Sequence, residues 1–499
     1  MKTTESIIRT FKFFFTLQNL FLLSVFVIFF LPQVDPDFGW HYKCGELLFK
    51  GNPCISNNFT YYLADYKWAY SSFLFDALLF LTYKSWGFIG TSLVYSTLMT
   101  AFAYLLYKYV KIPKPLLVVF FLLSTYFSWN VLFFGLRPQV LSVIFATLFL
   151  VWLKRISYKN MLLIPLFFVL WVNTHAGFVL APILFIVFLL TEVIATFFSN
   201  IKNPMFYISS YFNKRSFKGL LAVTSITIIS VLATLINPFA GRVYKEIANH
   251  GKTNMNMLIA EWTSPSTAIF IWLIVFYLIY IVLQIRRKKL NLFAMAILSI
   301  TLYLSLTAKR NVPLFFFSYL VFLEDVEIFS QKLNKQINHY GRKLLSYMII
   351  AWLLIYGVIM VSNTLKVSTY KGYCEASFVK YPCKAIEILE GKQGNVYNRY
   401  EWGGYLIWKL PANKLFVDGR MPAWIDPENG KSPYSVWLDI YQTKDGWSEQ
   451  LDSYGVKYLL ISPYTFIDLE LTKNPEKYNY KEIYRDDVSV VYSSSRFRN

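Results

Sequence analysis

Residues 13–41 read FFFTLQNLFLLSVFVIFFLPQVDPDFGWH, an apolar run of roughly spanning length that is followed at once by two carboxylates. The run, roughly Phe13 to Pro32, comes after a basic N-terminus and ends without a small-residue cleavage site. We therefore expect a retained anchor helix rather than a signal peptide. The two carboxylates, Asp35 and Asp37, lie directly beyond the exit of this helix.

Composition places the whole chain in the membrane class. Of its 499 residues, 56% are hydrophobic and only 16% are charged, whereas soluble proteins carry about a quarter charged residues. The net charge of +20 comes from Lys and Arg in short clusters between apolar runs, as in cytoplasmic loops. Since no basic stripe with interleaved aromatic residues occurs on a soluble part, we expect no nucleic-acid partner.

Apolar segments of spanning length recur over residues 1–362, which predicts a polytopic α-helical membrane protein with about eleven transmembrane helices. The segments lie near 13–32, 89–107, 116–135, 139–153, 161–173, 177–198, 219–236, 267–285, 291–308, 313–329 and 344–362. The stretch 161–198 also allows a different division.

Basic clusters occupy every second connection, which orients the chain by the positive-inside rule. The clusters are Lys2/Arg9/Lys12, Lys108/Lys111/Lys114, Lys154/Arg155/Lys159, Lys202/Lys214/Arg215/Lys218, Arg286/Arg287/Lys288/Lys289 and Lys332/Lys335/Arg342/Lys343. We therefore predict a multi-pass membrane protein with its N-terminus cytoplasmic and its C-terminal segment extracytoplasmic.

From about Asn363 the composition becomes that of a soluble domain. Helical patterns at 382–389 and 448–454 alternate with strand-like runs at 395–397, 414–417, 457–461 and 488–492. We predict a transmembrane domain over 1–362, with a first outer loop at about 33–87, and an extracytoplasmic α/β domain over 363–499.

The cysteines form two close pairs on the predicted outer side, Cys44/Cys54 and Cys374/Cys383. Disulfides are favoured in that compartment, and the alternative is free buried thiols. The spacing does not fit a metal site.

Candidate chemistry is concentrated in the predicted outward connections. Asp35 and Asp37 are interpreted as a general base or metal ligand, or else as a solvated helix exit. Trp40 and His41 follow in the same loop as candidate substrate-binding residues. Asp76 either faces the same cavity or caps a partly interfacial helix.

Three arginines, Arg137, Arg242 and Arg310, lie in three different outward turns. They either extend to lipid headgroups or converge on an anionic group, which a guanidinium can bind through two hydrogen bonds. Arg310-Asn311 is the strongest candidate for a phosphate contact. His175, flanked by Asn173 and Gly177, is a candidate proton shuttle, phosphate donor or packed polar residue.

Two further motifs lie in the C-terminal part, Asn398 to Leu406 and Val417 to Met421. Their glycines permit tight turns, and their aromatic, Asp and Arg residues are typical of sugar recognition. The alternative is that both motifs are a folding signature of the domain.

Several of these features together resemble the membrane glycosyltransferases of the GT-C fold, which use polyprenyl-phosphate-linked sugars. The resemblance rests on Asp35-Pro36-Asp37 after the first helix, the long first loop, the loop topology and the outer α/β domain. More closely, the chain resembles uncharacterised bacterial members of the protein-mannosyltransferase-like, or glycosyltransferase 39-like, group. The shared motifs are Trp171-Val172-Asn173-Thr174-His175-Ala176-Gly177, Arg310-Asn311-Val312-Pro313, and Trp402 to Trp408 with Asp418 to Met421.

The resemblance implies a glycosyltransferase of a bacterial inner or cell membrane. It would use a polyprenyl-phosphate sugar donor and an acceptor on a lipid, protein or glycan, within membrane lipids. It implies that Asp35 or Asp37 is the catalytic base. The expected donor phosphate-binding residues are Arg310, Arg242, Arg137 and His175, and the expected substrate-binding residues are Trp40, His41, Asp76, Asn173 and Asn311. No cofactor is expected. A divalent cation is left open but is not favoured, because the second outer loop lacks the acidic pair found in some members. The alternatives are a transporter or flippase of lipid-linked sugars and a non-catalytic cell-envelope assembly protein.

Overall fold

The computed structural model describes residues 16–198, 207–208, 217–252, 255–326, 331–375 and 379–496. Predictions that lie outside the described residues concern the start of the first apolar run at 13–15 and the basic residues Lys2, Arg9, Lys12, Lys202, Lys214 and Arg215. The chain divides into two compact units. We call them the helical unit, within Met1–Leu31, Ser92–Ala240 and Ile259–Thr364, and the mixed unit, within Pro32–Thr91, Gly241–Leu258 and Leu365–Asn499.

The helical unit consists of apolar helices joined by short connections. Its α-helices are Leu17–Phe29, the second part of Phe73–Tyr109, Lys114–Phe127, Trp129–Leu132, Pro138–Leu153, Tyr158–Met161, Ile164–Val172, Leu180–Phe198, Phe217–Ala233, Thr267–Arg286, Leu292–Thr307, Val312–Phe322, Gln331–Trp352 and most of Val358–Val367. Short 3₁₀ turns lie at Ala176–Val179, Ala260–Trp262, Lys309–Asn311 and Leu323–Asp325, and a π-helical segment lies at Leu353–Gly357. Strands β1 (Tyr207–Ile208) and β2 (Lys289–Leu290) form a short parallel pair.

Proline marks the start of several of these helices. It lies in the first turn of Lys114–Phe127, Pro138–Leu153, Ile164–Val172 and Val312–Phe322, where a backbone N–H has no partner within the helix. Pro138 and Pro313 begin the helices that follow two of the predicted outward connections, whereas Pro115 and Pro165 follow predicted inward ones.

Among the residues that the structure describes, four helical stretches are long and apolar enough to cross a membrane, namely Phe73–Tyr109, Ala176–Phe197, Ala260–Arg286 and Lys332–Val367. Six further apolar helices of 10–17 residues accompany them. The mostly helical membrane class predicted from the sequence agrees with this structure. The count of about eleven spans and the side of each terminus stay predictions.

The mixed unit contains a five-stranded sheet and short helices. Strands β3 (Asn395–Asn398), β4 (Lys414–Leu415), β5 (Val456–Ile461), β6 (Tyr480–Arg485) and β7 (Val490–Ser494) lie in the order β4-β3-β5-β7-β6. The first three are parallel, and β7 pairs antiparallel with β5 and β6. The α-helices of this unit are Phe38–Phe49, the first part of Phe73–Tyr109, Arg242–Lys252, Met255–Leu258, Tyr370–Cys374, Cys383–Leu389, Gly403–Lys409, Pro433–Tyr441, Trp447–Ser453, Phe466–Lys473 and Pro475–Tyr478.

Residues of the predicted first outer loop belong to the mixed unit together with the C-terminal residues. The backbone N–H of Tyr61 donates to the Leu415 carbonyl, and the Leu415 N–H donates to the Phe59 carbonyl, so this segment extends the sheet beyond β4. The disulfides Cys44–Cys54 and Cys374–Cys383, favoured by the sequence, are both present. The domain boundary at 362/363, predicted from composition, stays a prediction. The two units described above are a different division, because they are defined by contacts between residues.

Candidate functional site

The acidic turn, Asp35-Pro36-Asp37, leads directly into helix Phe38–Phe49 of the mixed unit. The Asp35 side chain is 1% exposed, and its Oδ1 accepts a hydrogen bond of 3.3 Å from the Asp37 backbone N–H. The Phe38 N–H donates to the Asp35 carbonyl at 3.1 Å. Asp37 is half-buried and is the N-cap residue of the helix, where the helix dipole favours a negative charge. The turn therefore holds two carboxylates in fixed backbone geometry, one buried and one accessible.

Glycines of the C-terminal motifs pack directly against this turn. A Cβ at Gly404 would overlap the Pro36 carbonyl oxygen, and a Cβ at Gly419 would overlap Asp37 Oδ1. On the other side, a Cβ at Gly39 would overlap the Gly404 carbonyl oxygen. Gly403 and Gly404 begin helix Gly403–Lys409, so the tight turn expected from them is wrong. These glycines permit a close approach of chain segments that lie more than 360 residues apart in sequence.

The Asp418-Gly419-Arg420 segment is internal. Arg420 donates from Nε to Asp418 Oδ1 at 2.8 Å and from Nη2 to Asp418 Oδ2 at 2.7 Å, and both side chains are fully buried. Its guanidinium also lies over the rings of Trp68 and Trp424. Since these groups are turned inward, the geometry favours the folding signature over sugar recognition for this motif.

His41 and Asp76, two candidate substrate-binding residues, form a pair inside the mixed unit. His41 Nδ1 and Asp76 Oδ1 are 2.6 Å apart, and both side chains are buried. The Trp40 ring stacks on the His41 imidazole, with 3.5 Å between ring centroids. The pair joins helix Phe38–Phe49 to the start of helix Phe73–Tyr109, and so it stabilises the helix that follows the acidic turn.

In the helical unit, Arg137 and Arg310 lie beside the turn that contains Glu261 and Trp262. Arg137 Nη1 donates to Glu261 Oε1 at 2.6 Å, and the Arg310 guanidinium lies 4.6 Å from the centroid of the Trp262 ring. The backbone N–H of Lys309 bonds to the Thr263 carbonyl at 2.8 Å and holds the two turns together. Glu261 was not predicted as a site residue, because a single carboxylate before an apolar run belongs to no recognisable sequence motif.

His175 belongs to the same group of side chains. Burial lowers the pKa of His175 to about 3, and the nearby positive charges of Arg310 and Arg137 contribute to the shift. Its Nδ1 accepts from the Gly177 N–H at 3.0 Å and lies 2.8 Å from Ser142 Oγ. The neutral imidazole therefore carries its proton on Nε2 and is a hydrogen-bond donor there. A pKa this low argues against a proton shuttle near neutral pH, and it is compatible both with a phosphate donor and with a packed polar residue.

The two candidate asparagines bind the backbone at helix ends. Asn173 Nδ2 donates to the carbonyls of Val169 and Ile236, each at 2.9 Å, and Asn311 Nδ2 donates to the Leu304 carbonyl at 3.1 Å. The Val169 and Leu304 carbonyls each also accept a backbone N–H, from Asn173 and Ala308, so both amides add a second hydrogen bond at the end of a helix. Substrate contact by Asn173 and Asn311 stays a prediction.

Arg242 lies in the mixed unit, at the start of helix Arg242–Lys252. It lines a pocket of about 270 Å³ together with Tyr66, Lys67, Lys245, Glu246 and Asn249. Arg242 Nη2 donates to the Lys67 carbonyl at 3.2 Å. Burial raises the pKa of Glu246 from the ordinary value of 4.5 to about 7. The pocket therefore combines three basic side chains with one carboxyl group that is partly neutral near physiological pH.

We expect the stability of the protein to depend on pH through Glu246. Its pKa is raised in the folded chain, so its stabilising contribution is complete below about pH 4.5 and is lost as the pH rises through about 7. Glu246→Gln should lessen the fall in melting temperature between pH 5 and pH 8, by an amount equivalent to about 1–3 kcal/mol. Thermal unfolding of the wild type and the variant at both pH values measures this. An unchanged pH dependence in the variant would contradict the assignment.

Within the part of the chain that the structure describes, no group of three or more His, Cys, Asp or Glu side chains is placed to hold a metal ion. The candidate site residues thus fall into two sets. The acidic turn with its glycines, and the Arg242 pocket, belong to the mixed unit, and the Arg137, His175 and Arg310 group belongs to the helical unit. The roles assigned to all of them stay predictions.

Comparison with known proteins gives distant likenesses among solved structures. No protein-family model matches the chain, and no curated protein matches it. Among solved structures, it is similar to the archaeal oligosaccharyltransferase AglB from Archaeoglobus fulgidus, in complex with an inhibitory peptide and a dolichol-phosphate. The sequence identity is 11% and the TM-score 0.49, and the alignment covers 96% of this chain and 74% of the other. A likeness at this level says nothing of substrate or activity.

Proposed function

We propose that the chain is a membrane glycosyltransferase that moves a sugar from a polyprenyl-phosphate donor to an acceptor hydroxyl on the outer membrane face. The observation that carries the proposal is the gathering of Arg137, His175 and Arg310 from three separate connections of the helical unit. Charged side chains at the ends of apolar helices are expensive to bury, and they commonly line a substrate path. Two guanidinium groups and an Nε2–H donor suit a phosphate.

A lipid-linked donor fits the predicted topology. No nucleotide sugar is expected outside the cytoplasm, whereas apolar helices offer a surface on which a polyprenyl tail can lie. In the proposed reaction, the departing phosphate gains negative charge as the sugar leaves. Arg310 and Arg137 stabilise that charge, and Glu261 orients Arg137 through its 2.6 Å bond.

The acidic turn supplies the base in this proposal. A carboxylate, Asp37 or Asp35, takes the proton of the acceptor hydroxyl as its oxygen attacks the anomeric carbon from the face opposite the phosphate. The new bond joins the acceptor oxygen to the sugar, and the bond from the sugar to the phosphate oxygen breaks. The phosphate keeps the electron pair, and the anomeric configuration inverts. The reaction as written requires no metal ion.

Arg310→Ala tests the proposal at the donor. Losing a charge-assisted contact of about 1.5–3 kcal/mol should weaken donor binding roughly 10- to 150-fold. The purified protein would be incubated with a panel of polyprenyl-phosphate sugars and acceptors, and release of polyprenyl phosphate would be followed by mass spectrometry. The control is Arg286→Ala, which removes the same charge from the far end of helix Thr267–Arg286, where the side chain is exposed.

The expected result is polyprenyl phosphate release by the wild type and by Arg286→Ala, with a raised donor KM and a lowered kcat in Arg310→Ala. Equal behaviour of the two variants would remove the phosphate role from Arg310. Movement of lipid-linked sugar across vesicles without any sugar transfer would replace the proposal by a transporter.

A further inference from the structure

A cavity of the helical unit is lined by residues other than those of the Arg137 group. It has a volume of about 780 Å³ and opens between the start of helix Leu17–Phe29, the end of helix Phe73–Tyr109 and the middle of helix Gln331–Trp352. Its lining includes Tyr107, Arg342, Lys343, Tyr347 and Ile350. We call it the basic groove.

The basic groove carries positive charge that its neighbours do not neutralise. Arg342 and Lys343 are exposed, and within the residues that the structure describes neither side chain forms an ion pair. Lys114 lies near enough to Arg342 for their charges to repel each other. The nearby carboxylate of Glu324 is paired with Lys154 at 2.7 Å and with Arg155 at 3.2 Å.

The length of one helical stretch places these cations at the edge of a bilayer. Lys332–Val367 has 36 residues, or about 54 Å of helix, whereas the hydrocarbon core is about 30 Å thick. A tilt within the usual range does not absorb the difference, so one end of the stretch lies outside the hydrocarbon. That end is the polar one, because the sequence is polar up to Lys343 and apolar from Leu344.

Apolar and aromatic side chains continue the surface beyond the cations. Leu344, Tyr347 and Met348 are 62%, 70% and 57% exposed, and Ile350 lines the groove. Two cations followed by an aromatic and aliphatic surface match the order of groups in an anionic phospholipid, with its phosphate at the headgroup level and its acyl chains below.

We propose that the basic groove binds one anionic phospholipid. The phosphodiester lies between Arg342 and Lys343, and the acyl chains lie along Tyr347 and Ile350. Basic pockets between membrane helices on the cytoplasmic side commonly bind such headgroups. The proposal does not depend on the glycosyltransferase activity.

The test compares lipids and matched charge variants of the full-length protein in detergent. Phosphatidylglycerol, phosphatidylcholine and inorganic phosphate would each be added, and bound lipid would be counted by native mass spectrometry beside the melting temperature. The test variant is Arg342→Gln with Lys343→Gln. The control is Lys332→Gln with Lys335→Gln, which removes the same charge from the same helix outside the groove.

The wild type and the control should retain one phosphatidylglycerol and be stabilised by it more than by phosphatidylcholine. The test variant should bind it about 30-fold more weakly, from the usual contribution of two basic residues near a lipid surface. If both double variants lose binding equally, the effect is general charge and the site is wrong. Equal stabilisation by inorganic phosphate, or by phosphatidylcholine, would also overturn the proposal. If the test variant does not fold, the single substitutions Arg342→Gln and Lys343→Gln should each weaken phosphatidylglycerol binding.

Discussion

Replacing Asp37 by Asn is expected to lower the rate of sugar transfer by about 10²–10⁴-fold, the usual contribution of a general base. Asn has the same shape and can keep the N-terminal position of helix Phe38–Phe49, but its amide cannot accept the proton of the acceptor hydroxyl. Donor binding should therefore change little, and the loss should fall on kcat. Steady-state rates over a range of donor concentrations, with a separate measurement of donor binding, check this expectation.

Substitution of Asp35, the other carboxylate of the acidic turn, distinguishes a catalytic role from a structural one. Asp35 is 1% exposed and accepts the Asp37 N–H, whereas Asp37 is half-buried, and this difference favours Asp37 as the group that meets the acceptor. Asp35→Asn should mainly lower the melting temperature. Asp65→Asn, at an exposed carboxylate of the same unit, is the matched control and should leave both quantities unchanged. Wild-type turnover in both Asp35→Asn and Asp37→Asn would contradict the base assignment.

Periodicity and charge predict those parts of the fold that depend on local sequence. The apolar runs correspond to helices such as Pro138–Leu153 and Leu292–Thr307, because each run is bounded by prolines or polar turns. Strand β5 was predicted from a short apolar run that is buried along most of its length. By contrast, β6 was missed, because its residues Tyr480–Arg485 are mostly exposed and polar and acquire their place only by pairing with β7.

The candidate site was predicted only as a set of residues in predicted outward connections. Of the four residues predicted to bind phosphate, the structure brings Arg137, His175 and Arg310 near one another in the helical unit, and Arg242 belongs to the mixed unit, where it lines a pocket with Glu246. Turn composition shows that a residue lies near a helix end. It does not show which turns meet, since that depends on packing between segments distant in sequence.

The glycines of the C-terminal motifs also show that a single sequence does not reveal which distant segments pack together. In sequence, Gly403-Gly404 suggests backbone freedom, whereas in the structure both glycines begin a helix. They matter because a side chain would collide with another segment, and Gly404 faces the Pro36 carbonyl. Such a requirement is not visible in a single sequence, because the partner lies more than 360 residues away.

Gly419→Ala is expected to reduce sugar transfer about 10²-fold while the protein remains folded. The added methyl would overlap Asp37 Oδ1, the end of a side chain that can rotate away, so the carboxylate must leave its place. Misplacing a reacting group by about 1 Å commonly lowers a rate by this amount. At Gly404, in contrast, the collision would be with a backbone carbonyl and would affect folding. Turnover, donor binding and the melting temperature should be measured together.

Gly251→Ala is the matched control, because that glycine lies in helix Arg242–Lys252 and a Cβ there meets no atom of the described residues within 4 Å. It should leave turnover unchanged and raise stability slightly, by about 0.5–1 kcal/mol. The decisive comparison is the double variant of Asp37→Asn with Gly419→Ala. If Gly419 acts only by positioning the Asp37 carboxylate, its substitution has nothing left to disturb once the base is gone, and the double variant should be no slower than Asp37→Asn alone. Additive losses would mean instead that Gly419 serves the fold, and that its contact with Asp37 has no part in transfer.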